Sequence, residues 1–274
     1  MEKVGMVGVG AMGSALLERL QLADVRATVY DPYAPAREAT RSLGAQVASS
    51  AKEVAQASTI IGVVVLNDKE VLDCMLGKGG ILEGAEAGTL VLLHSTILPE
   101  TTLKVADAAG KRQVGVLDAC MIGVPRVVRE GNISFVVGGA AELVERARPH
   151  LLKMGRQLLH IGPLGAGNVA KLIKNMVTGS ETLIVHEAIR IGEAGGIPYR
   201  ETLEMLRQLY ADNIVNRWQN AFDPSGASST PRPGANIFQK DLPLAAELGR
   251  RYGLDLPITQ QLEAAGRRLL EKKP

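Results

Sequence analysis

The stretch Lys3-Val4-Gly5-Met6-Val7-Gly8-Val9-Gly10-Ala11-Met12-Gly13 decides the fold. Residues 3–7 read as a short apolar strand, and residues 11–22 carry helical spacing through Met12, Ala15, Leu16, Arg19 and Leu20. The glycines therefore fall in a strand-to-helix turn, and each has its own reason. Gly8 permits the tight turn, Gly10 lets the backbone approach a pyrophosphate, and Gly13 allows close packing of helix on strand. The helix that begins at Ala11 and Met12 points unpaired N–H groups and its positive dipole end at the phosphates. Asp31 closes the second strand 23 positions after Gly8. A carboxylate there bridges the hydroxyls of an adenosine ribose and repels a 2′-phosphate, so NAD is favoured over NADP. Arg37, in the next helix, is a candidate to face such a phosphate, although arginines on that surface are usually just solvated.

Outward from this turn the alternation continues. Strands are predicted over 25–30, 59–66, 89–93, 114–119, 134–137 and 157–161. Helices are predicted over 34–43, 68–76 (capped by Asp68), 100–109 and 140–153. Continuous apolar strands separated by helices indicate a mainly parallel sheet covered on both faces, a doubly wound α/β domain over 1–162. After Gly162-Pro163 strand signals stop. Residues 166–193 form one long helical pattern closed by Gly195-Gly196. Further helices fit 199–211, 213–221, 238–252 and 257–271, with a Pro-, Ser- and Gly-rich loop at 223–236. The second domain, 163–274, is predicted to be all-α. No internal repeat is evident.

At 274 residues the chain is long for one core, and 46% hydrophobic with 22% charged residues is ordinary globular composition. Lys and Arg number 31 against 29 Asp and Glu, with no block of like charge, so neither nucleic acid nor an anionic membrane is implied as a partner. No 18-residue apolar run exists, and the first strand begins too close to Met1 for a signal peptide. Cys74 and Cys120 lie far apart without metal-ligand spacing, which fits a reducing cytoplasm and no metal site. The expectation is a soluble cytoplasmic protein acting on a small molecule.

The second informative stretch is Gly165-Ala166-Gly167-Asn168-Val169-Ala170-Lys171-Leu172-Ile173-Lys174-Asn175. Lys171, Lys174 and Asn175 stand at i, i+3 and i+4 and share one helical face. The glycines before them let another backbone or a ligand approach the helix start closely. With Gly8–Gly13, with Ser95-Thr96 after the strand at 89–93, with Asp118-Ala119 opening a loop, and with Lys240-Asp241 in a late helix, the chain resembles the 3-hydroxyacid dehydrogenase family. That family includes 3-hydroxyisobutyrate dehydrogenase and tartronate semialdehyde reductase. The resemblance implies hydride transfer between a nicotinamide cofactor and a 3-hydroxy acid or the corresponding semialdehyde. It makes Lys171 the catalytic lysine and Asn175 a substrate ligand, puts Lys240 beside the nicotinamide, and has Ser95 and Thr96 line the cofactor's ribose and nicotinamide side.

The resemblance also gives the substrate a loop beginning at Asp118, and there the chain departs. The family usually has aspartate-alanine-proline-valine-serine-glycine-glycine; this chain has Asp118-Ala119-Cys120-Met121-Ile122-Gly123-Val124. Ile122 cannot donate the hydrogen bond that the family's serine gives to the substrate carboxylate. Backbone amides near Gly123, or Arg126 and Arg129, are the candidates to replace it. The substrate itself stays open.

A free lysine, with a pKa of ~10.4, is a poor base at neutral pH, and Lys174, Lys240 and the oxidised nicotinamide are the positive charges that would lower it. His94, His150, His160 and His186 are alternative bases, none at a position matching the family's chemistry. An imine reductase shares this architecture and often has an apolar pocket, but generally lacks a lysine at the position of Lys171. A 6-phosphogluconate dehydrogenase needs a much larger helical domain. A non-catalytic nicotinamide-binding regulator fits Ile122 but leaves Lys171, Asn175 and Lys240 unexplained. The helix over 166–193 is longer than one small domain needs, so its far end is expected to be buried by a partner subunit in a homodimer or homotetramer.

Overall fold

In the computed structural model the described residues are 2–209, 238, 240 and 242–271. The chain divides into two compact units, Met1–Asn175 and Met176–Pro274. The first is built on strands β1 (Val4–Val7), β2 (Ala27–Tyr30), β3 (Gln46–Val47), β4 (Ile60–Val63), β5 (Leu90–Leu93), β6 (Gly115–Ile122), β7 (Ser134–Gly138) and β8 (Gln157–Gly162). They form one eight-stranded sheet in the order β3-β2-β1-β4-β5-β6-β7-β8. Every neighbouring pair is parallel except β6 and β7. Between them run α1 (Ala11–Leu22), α2 (Ala34–Ala39), α3 (Ala51–Gln56), α4 (Asp68–Leu76), α5 (Ile81–Gly84), α6 (Pro99–Gly110), α7 (Pro125–Arg129) and α8 (Ala141–Met154).

The central strands are apolar at every position because both faces are covered. Met6, Leu16, Leu20, Ile60, Leu92 and Phe135 belong to the core on one face. Val7, Val54, Ile61, Val91, Leu93 and Val105 belong to the core on the other. Neighbouring residues such as Met6 and Val7, or Leu92 and Leu93, thus serve opposite cores, as a period of two requires.

Three local features differ from the sequence expectation. Strand β6 continues to Ile122 instead of ending at Ala119. Its parallel pairing with β5 stops at Leu93↔Asp118, and β7 then carries it antiparallel from Asp118↔Gly138 to Ile122↔Ser134. Residues expected to open a loop are therefore strand, and Ala119, Cys120 and Met121 are buried. The two-residue edge strand β3 and helix α3 are too short for a periodic signal in the sequence; α3 is capped by Ser50, whose side chain accepts from the Glu53 N–H. The cap of α4 is Asn67, not Asp68. The Asp68 carboxylate accepts instead from the Leu98 N–H at 3.0 Å and the Thr101 hydroxyl at 2.6 Å, tying α4 to the start of α6.

Helix α9 (Ala166–Ala194) carries the chain from one unit into the other, and the division falls inside it, between Asn175 and Met176, later than the sequence-based break after residue 162. The second unit continues with α10 (Tyr199–Leu209), α11 (Leu242–Arg251) and α12 (Pro257–Glu271). Its internal anchor is Glu187, a buried residue of α9. The Glu187 carboxylate accepts from the N–H groups of Ile258 and Thr259 at 2.8 and 2.7 Å and from the Thr259 hydroxyl at 2.6 Å, satisfying the orphan donors at the start of α12. The helix expected over 213–221 and the loop over 223–236 lie outside the described residues.

Candidate active site

The glycine turn has the geometry its sequence implies. Gly8 has φ +90°, and a Cβ there would lie 2.4 Å from the Val64 carbonyl oxygen. A Cβ on Gly13 would lie 2.2 Å from the Gly8 carbonyl, so only glycine lets α1 sit this close to the end of β1. Gly10 is different, since a Cβ there meets nothing within 4 Å and would project into open space. It is also the N-cap of α1, with no side-chain cap and no acidic residue in the first turn. The N–H groups over Ala11 and Met12 are thus left for an anion. This is a cradle that fits a dinucleotide pyrophosphate.

Gly8, Gly10, Ala11, Met12, Gly13 and Asp31 line a cavity of about 880 Å³ together with Ser95, Thr96, Gly123 and Lys171. The Asp31 carboxylate is fixed from both sides: Oδ2 accepts from the Val9 N–H at 2.8 Å and Oδ1 from the Tyr33 N–H at 2.9 Å. One lone pair of each oxygen remains for a ribose hydroxyl. Arg37 is not poised for a phosphate. Its Nη1 donates to the Asp31 carbonyl at 2.5 Å, and its guanidinium sits over the Tyr30 ring, 5.6 Å from the centroid. Glu70, Asp73 and Lys78 also line the cavity, and Asp73 is paired with Lys69, so this lining carries charge of both signs.

Ser95 and Thr96 both line the cavity, but they are used differently. The Ser95 hydroxyl donates to the Val65 carbonyl at 2.7 Å and accepts from the Val65 N–H at 3.1 Å, bracing the segment after β4. Thr96 is exposed. Beside them sits His94, the one of the four alternative bases that lines the cavity. Its Nδ1 donates to the Ala119 carbonyl at 2.7 Å, where β6 parts from β5. Burial holds its pKa down at about 4, so the ring is neutral.

Lys171 is half-buried, and its Nζ donates to the Met121 carbonyl at 2.7 Å. Burial first, and the Lys174 ammonium second, hold its pKa below the ordinary lysine value. The sequence reading credited only neighbouring charge; desolvation is the larger cause, because the stem lies against β6.

Asp118 does not face the cavity, and its expected substrate-binding role is corrected. It is fully buried. Its Oδ1 accepts from the Gly165 N–H at 2.9 Å and its Oδ2 from the Asn168 N–H at 2.7 Å. Burial raises its carboxyl pKa, while these N–H donors pull the other way. The close approach that Gly167 permits is therefore to the sheet, not to a ligand: a Cβ there would lie 2.8 Å from Asp118 Oδ2 and from the Val136 carbonyl. Ile122 pairs with Ser134 in the sheet and lies outside the cavity lining. Gly123, with φ +152°, is a lining residue. Asn175 is exposed, one turn beyond Lys171 on α9, and is not in the lining. Lys240 belongs to the second unit, where it is exposed. Both arginines considered as carboxylate ligands are otherwise engaged, Arg126 with Glu130 at 2.5 Å and Arg129 with Glu18 at 2.8 Å. Cys120 is a buried thiol whose pKa is pushed up to about 12 by burial and by Asp118, which removes it as a nucleophile.

With this geometry in place, the likeness to known proteins is informative. Residues 3–162 match the family described as the NAD binding domain of 6-phosphogluconate dehydrogenase. Residues 165–273 match the family described as NAD-binding of NADP-dependent 3-hydroxyisobutyrate dehydrogenase. The chain is 34% identical to 3-hydroxyisobutyrate dehydrogenase of Pseudomonas aeruginosa over 264 residues, covering 94% of this chain and 89% of the relative. It is 31% identical to the NAD-dependent L-serine dehydrogenase of the same organism, with the same coverage. Among solved structures, an oxidoreductase from Mycobacterium avium superposes with a TM-score of 0.81 at 27% identity, over 98% of this chain and 99% of that one. An imine reductase from Pseudomonas superposes with a TM-score of 0.84 at 18% identity, over 97% and 92%, a likeness of fold alone. The chain belongs to the 3-hydroxyisobutyrate dehydrogenase family, and it is an NAD-binding oxidoreductase of the hydroxyacid dehydrogenase class.

Proposed function

We propose that the protein oxidises a small 3-hydroxy acid, or reduces the corresponding semialdehyde, with NAD as cofactor and Lys171 as the acid/base. The observation that carries this reading is the placement of Lys171 Nζ, half-buried against the Met121 carbonyl in the cavity that the glycine turn and Asp31 also line. The named relatives act on L-serine and 3-hydroxyisobutyrate, both of which carry a hydroxyl on the carbon β to a carboxylate.

The bound nicotinamide supplies the hydride acceptor or donor at its C4. Gly10, Ala11 and Met12 bind the pyrophosphate through backbone N–H groups, and Asp31 takes the adenosine ribose. Ser95 holds the segment after β4 in place, with Thr96 beside the nicotinamide ribose. In oxidation, neutral Lys171 takes the proton of the substrate hydroxyl; in reduction, its ammonium polarises the carbonyl and returns the proton. The Met121 carbonyl accepts one Nζ hydrogen and so aims the remaining positions. Asn175, one turn beyond Lys171 on α9, is the residue proposed to hold the substrate oxygen once substrate is bound, and the Gly123 backbone takes over from the hydroxyl that Ile122 lacks. A turnover panel of L-serine, 3-hydroxyisobutyrate, their semialdehydes and cyclic imines tests this. Activity confined to cyclic imines would overturn it.

The pH dependence follows from the site. Neutral Lys171 is needed for oxidation, so kcat/KM for the alcohol rises with pH through the Lys171 pKa and levels off below the ordinary lysine range. Removing the neighbouring charge with Lys174→Met raises that pKa and moves the rise toward alkaline pH. A profile unchanged in Lys174→Met would show that the titrating group is not Lys171.

We also place the protein in the cytoplasm as a homo-oligomer. Both cysteines are free, and no helix among the described residues is long and apolar enough to cross a membrane. Helix α9, 29 residues and so about 44 Å long, leaves Ile173 54%, Met176 65% and Leu183 51% exposed in a single chain. Such an apolar row calls for a partner. Light scattering at micromolar concentration is expected to give the mass of a dimer or tetramer, and a monodisperse monomer would refute it.

A further inference from the structure

We propose that Asp118 is the positioning residue of the catalytic lysine: its buried carboxylate clamps the first turn of α9 and sets where Lys171 Nζ stands. This rests on the acid/base reading of Lys171 given above. Asp118 sits where β6 exchanges one neighbour for the other, paired with Leu93 on one side and Gly138 on the other. Two glycines make the slot for its side chain. A Cβ on Gly138 would lie 2.6 Å from Asp118 Oδ1 and 2.9 Å from the Ala166 nitrogen, and one on Gly167 would lie 2.8 Å from Oδ2. Into that slot the helix delivers the N–H groups of Gly165 and Asn168, one to each carboxylate oxygen. An anion at this end also answers the helix dipole.

A second clamp fixes rotation about the helix axis. The Asn168 side chain is buried; its Oδ1 accepts from the Thr102 hydroxyl at 2.7 Å and its Nδ2 donates to Cys120 Sγ at 3.4 Å. Asn168 and Lys171 are at i and i+3, so they lie on neighbouring positions of one face. Three consecutive contacts to the same strand result: Asp118 to the helix start, Cys120 to Asn168, and Met121 to Lys171. Strand β6 and the first turns of α9 therefore act as one template. None of Asp118, Asn168 or Thr102 touches the cavity. Their effect on chemistry passes through the position of Nζ, where a displacement of about 1 Å costs on the order of 10²-fold in rate.

The test uses the full-length enzyme with NAD and whichever of L-serine and 3-hydroxyisobutyrate it turns over faster. Asp118→Asn replaces one acceptor by an N–H donor facing a backbone N–H, and Gly167→Ala pushes the helix off the strand while leaving the carboxylate in place. Each is expected to lower kcat by roughly 10- to 100-fold, with substrate KM and NAD dissociation constant changed less than about threefold. If Asp118→Asn does not fold, Gly167→Ala and Asn168→Leu decide the matter, since they keep the charge. Wild-type kcat in the folded variants, or losses of NAD affinity in step with kcat, would overturn the proposal. Lys171→Ala is assayed alongside: full activity there would sink the acid/base reading itself, whereas an inactive Lys171→Ala beside an unimpaired Asp118→Asn would sink only the positioning role.

Discussion

Lys171→Ala is expected to lower turnover by about 10²–10⁴-fold, the usual contribution of a positioned acid/base group, while leaving NAD affinity nearly intact. The separation between the two readouts follows from geometry. Lys171 contacts Met121 through Nζ, and the groups proposed to bind the cofactor's pyrophosphate and adenosine ribose, Gly10 through Met12 and Asp31, are fixed by hydrogen bonds that do not involve it. Removing the half-buried ammonium also removes its desolvation penalty, which offsets part of the lost bond to the Met121 carbonyl. Steady-state kinetics in both directions, with NAD affinity from fluorescence, measures both quantities. Equal losses in kcat and kcat/KM would mark an interaction made only in the transition state. A Lys171→Ala enzyme with wild-type turnover would leave the acid/base role unsupported, and the mechanism would then need a different proton donor.

The neutral state of His94 matters to that result. Of the alternative bases, it alone lines the cavity, and its Nδ1 proton is held by the Ala119 carbonyl while burial keeps the ring uncharged at any pH near neutrality. His150 is buried with its pKa near 3, His160 is bonded to the Gly139 carbonyl, and His186 is exposed on α9. None replaces a missing lysine.

The sheet was legible because its information is local. A buried parallel strand announces itself as an apolar run, and glycines at Gly8, Gly10 and Gly13 have three different steric reasons that one chain segment displays at once. What escaped was information carried between segments. Asp118-Ala119-Cys120 read as the mouth of a loop because nothing in that segment reveals that β7 pairs with it in reverse. The family resemblance makes Asp118 a substrate ligand, whereas its oxygens are engaged by N–H groups 47 and 50 positions away. The one available sign was the Gly165-Ala166-Gly167 stretch, which the sequence reading left open between backbone and ligand. The packing resolves it in favour of backbone. Arg126 and Arg129 escaped for a similar reason: Glu130 is one turn on from Arg126, but Glu18, the partner of Arg129, comes from α1. The cap of α4 was misplaced by one residue, since Asn67 and Asp68 are both good caps and only the tie from Asp68 to Thr101 separates them.

Asp31→Asn is expected to weaken NAD binding by roughly tenfold to a hundredfold, since a hydrogen bond to a charged group is worth about 1.5–3 kcal/mol. Binding of NADP should fall less or improve, because the charge that opposes a 2′-phosphate is gone. Two features keep the change interpretable. The variant retains one carboxyl-type oxygen, which can still accept from Tyr33 or Val9, so the turn keeps part of its brace. Arg37 is bound to the Asp31 backbone carbonyl and not to its carboxylate, so it does not swing free when the charge is removed. Glu70 stays in the lining, with Lys78 partly offsetting it and Asp73 paired to Lys69, so relief of NADP rejection is expected to be partial. Titration of both cofactors against the wild type and the variant measures the ratio directly. A wild type that prefers NADP by tenfold or more, or a variant whose preference is unchanged, would show that Asp31 braces the glycine turn without selecting the cofactor. In that case discrimination would have to reside in the other charged lining residues, and Glu70→Gln and Lys78→Met would become the informative substitutions.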